Sequence, residues 1–363
     1  MARSHDGFRY RDGKYYAWRK ITNGEVKVIK ATTHKLREER IRAFKAKLAA
    51  GPVQDPESVR TFFNNWLEET IRPNRAYQTG QGYGYMISLY IEPSIGDRLM
   101  SSVAPDDLQR LLNGLTAKGV APRTVKKCLN VLNLGFKMAQ QRGVIKVSPS
   151  VSLSTPPSPE GKKRILKIEE AKALIAYRKT RYSPLFAFLL TTGLRISEAL
   201  GLRPEDITPE RVLVNHQLSW RTGGDYSLEA LKTKASKRGV PLSVISRDAL
   251  IRVNEQRDRD QILAQDGWEN CGLLFTTESG SPMAPSNVYR ALAAALVALK
   301  IPPATVHDLR RTFISQLARN EARPQVVKAI AGHSNIQTTM QYYVVSDTTD
   351  EADAMERTNK WLD

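Results

Sequence analysis

The sequence has almost no cysteine: 363 residues carry two, Cys128 and Cys271. Two thiols so far apart build neither a disulfide framework nor a Cys-rich zinc site. A reducing, cytosolic compartment is the simplest reading. No run approaches eighteen apolar residues, so no membrane span is expected. The opening Met-Ala-Arg-Ser-His-Asp lacks an apolar stretch, so no secretory signal is expected either. Internal repeats are absent. Acidic residues are scarce beside basic ones, 37 Asp and Glu against 55 Lys and Arg. The remaining composition, 41% hydrophobic and 25% charged, is that of an ordinary globular protein. The length suits two to three domains. The net charge of +18 is the first positive signal. Lysines and arginines set on phosphates release condensed counterions, so a polyanionic partner is favoured. An anionic membrane surface would suit the same charge, but no basic amphipathic anchor helix stands out.

Half of the excess sits in residues 1–50, with fourteen Lys and Arg against five Asp and Glu. Phe8-Arg9-Tyr10, Tyr15-Tyr16-Ala17-Trp18 and Val26-Lys27-Val28-Ile29 are β-prone runs separated by Asp12-Gly13 and Asn23-Gly24, which are hairpin signals. Residues 33–49 read as a basic helix with Leu36, Ile41, Phe44 and Leu48 on its apolar side. Gly51-Pro52 to Pro56 reads as a linker. Residues 57–147 have helical period throughout. Phe62, Phe63, Trp66 and Leu67 form one stripe, Leu108, Leu111, Leu112 and Leu115 a second, and Val125, Leu129, Leu132, Phe136 and Ala139 a third. Pro122 marks a helix start. The Pro/Ser-rich residues 148–163 read as a second linker, too polar to pack a core. Residues 164–363 read as one larger, mostly helical domain with a strand-like insert near 211–243. The expected fold class is mainly α with small β elements in several domains.

Three clusters in the last domain carry chemistry. In Thr191-Thr192-Gly193-Leu194-Arg195-Ile196-Ser197-Glu198, one helix stops at Gly193 and another begins near Ser197. Arg195 therefore stands beside free backbone N–H groups, a good place to meet a phosphate, although it could also cap the helix or pair with Glu198. In His307-Asp308-Leu309-Arg310-Arg311-Thr312, residues 307 and 310 share a helix face. An imidazole and a guanidinium side by side can move a proton and bind an anionic oxygen. In Gly332-His333, Gly332 can end a helix, and Thr338-Thr339-Met340-Gln341-Tyr342-Tyr343 should lie on the next one. The spacing of His307 and His333 matches no metal pattern, so no metal or other cofactor is expected. Between the clusters, Leu231-Lys232-Thr233-Lys234-Ala235-Ser236-Lys237-Arg238-Gly239-Val240-Pro241-Leu242 suggests a basic β-hairpin, with Lys237 and Arg238 on an exposed charged turn.

Taken in order, Gly-Leu-Arg-Ile-Ser-Glu, Lys-Thr-Lys before Val-Pro-Leu, His-x-Leu-Arg-x-Thr, Gly-His and Thr-Thr-x-x-Tyr resemble the boxes of the tyrosine recombinase, or phage integrase, family. The nine-residue step from His333 to Tyr342 matches as well. The likeness is strongest over about 170–345. Residues 57–147, notably Ile91-Glu92-Pro93-Ser94-Ile95-Gly96-Asp97, look like that family's helical core-binding domain. Residues 1–50 look loosely like the three-stranded arm-binding domain of the larger integrases. The chain departs from the family pattern at Arg311, where His is frequent, and at Ala331, where a larger aliphatic residue often precedes Gly-His.

The resemblance implies a site-specific recombinase that cuts and rejoins duplex DNA through a 3′-phosphotyrosine, for phage or mobile-element integration and excision. Tyr342 would be the nucleophile, and a covalent intermediate stores the bond energy so that rejoining needs no ATP. Arg195 and Arg310 would clamp the non-bridging oxygens. Lys232 would protonate the departing 5′-oxygen, with Lys234, on the same face of the same strand, as the alternative. His307 would assist with protons or hold the phosphate, and His333 would donate to the phosphate. Glu198 would fix these groups in place. Arg9, Arg11, Lys14, Arg19 and Lys20 in the arm, Lys126 and Lys127 in the helical domain, and Lys234, Lys237 and Arg238 in the hairpin are candidates for DNA contact. The partners the resemblance implies are duplex DNA at core and arm sites, a homotetramer on two DNA sites, and, as accessory proteins, a DNA-bending host protein and a directionality factor, in the nucleoid of a bacterial host. Residues 350–362 would form an amphipathic tail helix. The competing readings are a non-catalytic DNA-binding protein derived from an integrase and a type IB topoisomerase-like relaxing enzyme.

Overall fold

Residues 8–12, 15–22, 25–49, 57–157, 164–221, 223–231 and 236–343 are described by the computed structural model. The chain divides into two units, Met1–Pro159 and Glu160–Asp363. Strands β1 (Phe8–Asp12), β2 (Tyr15–Thr22) and β3 (Glu25–Ala31) form an antiparallel sheet in the order β1-β2-β3. Arg9 pairs with Trp18, and Trp18 with Ile29. Helix α1 (His34–Ala49) follows and packs on β2 and β3. Ala17, Trp18, Ala31 and Ile41 form the buried centre. Arg37 is buried there too, with its guanidinium 5.8 Å from the centre of the Tyr16 ring and 2.7 Å from Glu38.

The helical part of the first unit runs through α2 (Val59–Trp66), α3 (Arg72–Asn74), α4 (Tyr77–Met86), α5 (Glu92–Ile95), α6 (Pro105–Ala117) and α7 (Pro122–Gln141). A feature that periodicity does not announce is a pair of π turns, Leu67–Ile71 joining α2 to α3 and Ile87–Ile91 joining α4 to α5. Each is followed by a proline, Pro73 or Pro93. A helical proline has no N–H to donate, and its ring crowds the carbonyl four residues back. That carbonyl belongs to Glu69 or Leu89, inside the widened turn, so the π turn gives the ring room. The expected stripes make the core: Phe62, Phe63, Trp66, Leu67, Leu108, Leu112, Val125, Leu132 and Phe136 are all buried. Cys128 is fully buried among them, and burial pushes its thiol up to about 12.

The Pro/Ser stretch after α7 is more than a spacer. Leu153 packs on this core, the Ser154 N–H donates to Gln109 at 3.0 Å, and the Gln109 amide returns a bond to the Ser154 carbonyl at 3.1 Å.

The second unit is built on α9 (Ser183–Thr192), which follows α8 (Ile168–Ala176). Every residue from Ser183 to Leu190 is buried. A helix apolar on all sides must be covered on all sides, and α9 packs against α8, against α11 (Val244–Ala264) and against α13 (Val306–Arg319). Burying each Leu or Phe of this kind contributes about 1.5–3 kcal/mol. Short α10 (Ile196–Leu200) precedes the strands β4 (Arg211–Val214), β5 (His216–Trp220), β6 (Tyr226–Ala230) and β7 (Arg238–Pro241). Helices α12 (Pro285–Ala298), α14 (Pro324–Ala331) and α15 (Ile336–Met340) complete it.

The hairpin expected over 231–242 is not formed by the strands that flank it. β6 pairs with β5, and β7 pairs with β4, in two separate two-stranded antiparallel sheets. The alternating burial of β4, with Val212 and Val214 inside, is matched by Val240 of β7 opposite Val212, and this fixes that pairing. Among the described residues no helix is long and apolar enough to cross a membrane.

Candidate active site

Two left-handed glycines shape the site. Helix α9 ends at Gly193, φ +63°, and α14 ends at Gly332, φ +66°. A side chain at either position would be strained by the backbone and would also collide. A Cβ on Gly193 would lie 2.3 Å from the Phe313 ring, and one on Gly332 would lie 2.8 Å from the Arg238 guanidinium. Gly193 turns the chain so that Arg195 becomes the residue before α10. Gly332 ends α14 just ahead of His333.

Four charged side chains from three segments, the start of α10, β7 and α13, meet between these turns. Glu198 is 1% exposed. Its carboxylate accepts from the Arg195 N–H at 2.8 Å and from Arg195 Nη1 at 2.6 Å. It also accepts from Arg238 Nη2 at 2.9 Å and Nη1 at 3.2 Å. Arg310 Nη1 stands 4.0 Å away. Burial alone would raise the Glu198 carboxyl, but the hydrogen bond and charge of Arg238, and then Arg195, more than offset it and hold it below the usual range.

The same three arginines grip three successive carbonyls at the C-terminal end of α14. Arg238 Nε donates to Ile330 O at 2.6 Å, Arg310 Nη2 to Ala331 O at 2.6 Å, and Arg195 Nη2 reaches toward Gly332 O at 3.4 Å. The last carbonyls of a helix lack intrahelical partners and carry the negative end of its dipole, which suits guanidinium groups. Arg310 also donates to Gly193 O at 2.7 Å, so it ties the two glycine turns together. It is nearly inaccessible, whereas the Arg195 side chain is 39% exposed. Burial and the neighbouring charge of Arg195 pull Arg310 down to about 10, which leaves it cationic at neutral pH.

His307 lies in the first turn of α13, where it is exposed while Val306, Asp308 and Leu309 are buried. Asp308 caps that helix, accepting from the Thr305 N–H at 2.9 Å and hydroxyl at 2.8 Å, and it holds Arg311 at 2.6 Å. Partial desolvation, then the charges of Arg311 and Arg310, lower the His307 imidazole. His333 is buried. Burial first, then Arg310, Arg195 and Arg238, pull it down to about 4. Its Nδ1 is 3.0 Å from the hydroxyl of Thr339, itself fully buried.

The tyrosine is placed differently from the expectation of a helical position. Helix α15 ends at Met340, and Tyr342 lies in the turn beyond it, its N–H bonded to Thr339 O at 3.0 Å. Its ring stacks on that of His333, centroids 6.2 Å apart and planes 18° apart. Tyr343 packs with it against Ile314, Val327 and Ala331, but its hydroxyl donates to Ala322 O.

Arg195, Arg310, His333 and Tyr342 are thus brought together, with His307 on the same helix as Arg310. Lys232 and Lys234 lie outside the described residues, as do Lys14 and the tail at 350–362. Arg9, Arg19 and Lys20 are on β1 and β2, and their side chains lie outside the described part. Arg11 is exposed with its guanidinium 5.3 Å from the centre of the Tyr16 ring, and Lys126, Lys127 and Lys237 are exposed. Arg238 corrects the reading of an exposed turn. Its side chain is 6% exposed and bonded to Glu198 and Ile330. The sequence signal missed there is the buried carboxylate of Glu198, which needs more positive charge than Arg195 alone supplies. Among the described residues no three His, Cys, Asp or Glu side chains gather as a metal site.

A buried carboxylate ringed by three guanidinium groups, with a histidine and a tyrosine beside it, is an arrangement that can hold an anionic oxygen next to a nucleophile. Comparison with known proteins fixes the family. The model of the phage integrase family matches residues 163–349, and that of the phage integrase N-terminal SAM-like domain matches 58–116. The chain is 30% identical over 308 residues to the transposase from transposon Tn916 of Enterococcus faecalis, across 80% of this chain and 75% of that one. In fold it is similar to the Tn1549 transposon integrase in complex with transposon right end DNA, with a TM-score of 0.72 at 22% identity over 83% of this chain and 99% of that one. It is also similar in fold to a lambda integrase tetramer bound to a Holliday junction, with a TM-score of 0.61 at 16% identity over 94% and 96% of the two chains. The chain belongs to the phage integrase family, and it is a tyrosine recombinase that carries out site-specific DNA recombination.

Proposed function

We propose that Tyr342 is the nucleophile of this recombinase and that Arg195, Arg310 and His333 receive the scissile phosphate. Tyr342 Oη bonds to phosphorus as the bond to the 5′-oxygen breaks, leaving a 3′-phosphotyrosine and a 5′-hydroxyl. The phenolic proton leaves toward His307, whose lowered pKa keeps it neutral and able to accept. Lys232, or Lys234 in its place, supplies the proton to the 5′-oxygen. Arg195 and Arg310 stabilise the charge of the five-coordinate transition state, and preorganised donors of this kind are often the largest single contribution to catalysis. Each guanidinium has five N–H donors, and the bonds to Glu198 and the carbonyls leave donors over for phosphate oxygens.

The observation that carries this reading is the stacking of Tyr342 on His333, directly after the three carbonyls held by the arginines. The exposed lysines and arginines of the first unit would neutralise flanking phosphates. The likeness to a lambda integrase tetramer on a Holliday junction supports a working unit of four copies on two duplexes. The strongly basic residues 1–50 support a second, arm-type site, and the Tn916 transposase supports a mobile element as the setting. A nicked suicide substrate, from which the 5′-hydroxyl fragment diffuses away, tests the chemistry. A denaturation-resistant protein–DNA band that maps to Tyr342 is expected. DNA binding without such a band would instead indicate a non-catalytic binding protein.

A further inference from the structure

We propose that Arg238 is a positioning residue of the recombination site, and that it acts by holding the anion clamp in shape. The inference rests on the reading of Arg195, Arg310 and His333 as the phosphate pocket. Arg238 itself has almost no surface with which to meet DNA. Its planar fork joins two parts of the pocket that are distant in sequence. Nη1 and Nη2 take the carboxylate of Glu198, and Nε takes the carbonyl of Ile330, three residues before His333. Glu198 in turn orients Arg195, through both the main-chain N–H and Nη1. One guanidinium thus fixes the α10 side of the pocket to the end of α14.

Three further observations support this assignment. Arg238 also donates to Ser236 O at 3.0 Å, which folds the chain back on the side chain's own root. Gly332 leaves the space the guanidinium needs, since a Cβ there would meet Nη1 at 2.8 Å. The three arginines take consecutive carbonyls, Ile330, Ala331 and Gly332, so loss of Arg238 frees one end of the row whose other end leads into His333. A lysine cannot replace this fork. Its single ammonium would sit by Glu198 or by Ile330 but would not span both with the same planar geometry.

Arg238→Lys keeps a positive charge beside Glu198 and is the main test, with Arg238→Met as the harsher variant. Single-turnover cleavage is measured on a suicide substrate with an ordinary phosphodiester and on one with sulfur at the bridging 5′ position. A 5′-thiolate leaves without protonation, so the sulfur substrate bypasses the general acid. We expect Arg238→Lys to bind DNA and unfold at nearly wild-type values yet to cleave about 10²-fold more slowly, the loss typical of a small misplacement of reacting groups. The deficit should be equal on both substrates. Restoration of wild-type cleavage by sulfur would place the effect at the leaving-group proton and overturn the proposal. So would wild-type cleavage of the ordinary substrate, or losses of folding and DNA binding as large as the loss of rate. Wild-type protein and Tyr342→Phe are run alongside. A wild type without adduct, or a Tyr342→Phe protein with one, refutes the underlying reading rather than the role of Arg238.

Discussion

The ring of Tyr342 lies over that of His333, nearly parallel at 18° and 6.2 Å between centroids, while the hydroxyl of neighbouring Tyr343 is spent on the Ala322 carbonyl. The two adjacent tyrosines are therefore not equivalent. The hydroxyl of Tyr342 meets no hydrogen-bond partner among the described residues, and that of Tyr343 fastens the turn to the domain. Tyr342→Phe should abolish the covalent band and leave DNA binding nearly unchanged, because the nucleophile contributes chemistry rather than affinity. Tyr343→Phe should keep the band with a modest loss of rate. A band retained by the first variant and lost by the second would transfer the chemistry to Tyr343.

Much of this site is legible in the sequence because the relevant constraints are local. Gly193 and Gly332 announce chain reversals, and each sits beside a chemical group. The i and i+3 spacing of His307 and Arg310 is preserved on α13. The three helical stripes of the first unit make its core, since apolar period and burial are the same physical fact. What was not legible depends on pairing across long distances. Nothing local tells that β7 joins β4 rather than β6, or that Arg238 turns inward to Glu198, forty residues away. The π turns escaped because a five-residue widening leaves the apolar stripe intact. Tyr342 was expected on a helix that in fact stops at Met340.

Glu198 is the hub of the charges, and its removal should be costly. Glu198→Ala leaves Arg238 and Arg310, both buried, without their shared counter-charge. Breaking a buried pair from one side typically costs about 3–5 kcal/mol. Urea unfolding of the variant should show a loss of unfolding free energy of that order, with Glu198→Gln losing less because one acceptor oxygen remains. A loss below about 1 kcal/mol for Glu198→Ala, the range of exposed pairs, would mean that the carboxylate is dispensable.

The depressed His333 imidazole gives stability a direction with pH. The unfolded chain takes up a proton near pH 6.5, but the folded site does so only near 4. Between these values the unfolded state binds more protons, so stability falls as pH falls, and this contribution levels off below about 4. His307, also lowered, acts in the same direction. Urea midpoints at pH 7.5 and pH 5 should differ in the wild type, and His333→Asn should reduce the difference. An unchanged pH dependence in that variant would rule out His333 as its source.

If two guanidinium groups supply the positive charge at the phosphate, no divalent ion is needed for that role. Excess EDTA should then leave the yield and rate of the covalent adduct unchanged in single-turnover assays. Loss of cleavage in EDTA that magnesium or zinc restores would show that the arginines do not suffice.

The contact between Thr339 and His333 sets a last, finer expectation. For His333 to donate to a phosphate, the proton must be on Nε2, because Nδ1 faces Thr339 at 3.0 Å. The Thr339 hydroxyl must then be the donor and Nδ1 the acceptor, which fixes the tautomer through the other ring nitrogen. Thr339 belongs to α15 and precedes Tyr342 by three residues, with Met340 and Gln341 between them. The group that fixes the histidine is thus delivered by the same short segment that leads into Tyr342. Thr339→Val keeps the shape and removes the hydroxyl, whereas Thr339→Ser keeps the hydroxyl. Nitrogen-15 shifts of the His333 ring should report Nε2–H in the wild type and in Thr339→Ser. Thr339→Val should give a mixture of tautomers and cleave about 10-fold more slowly, the lower end of the loss seen when a supporting hydrogen bond is removed from a histidine. A Thr339→Val protein that keeps both the wild-type tautomer and the wild-type rate would show that the ring is oriented by its burial and by the arginines alone.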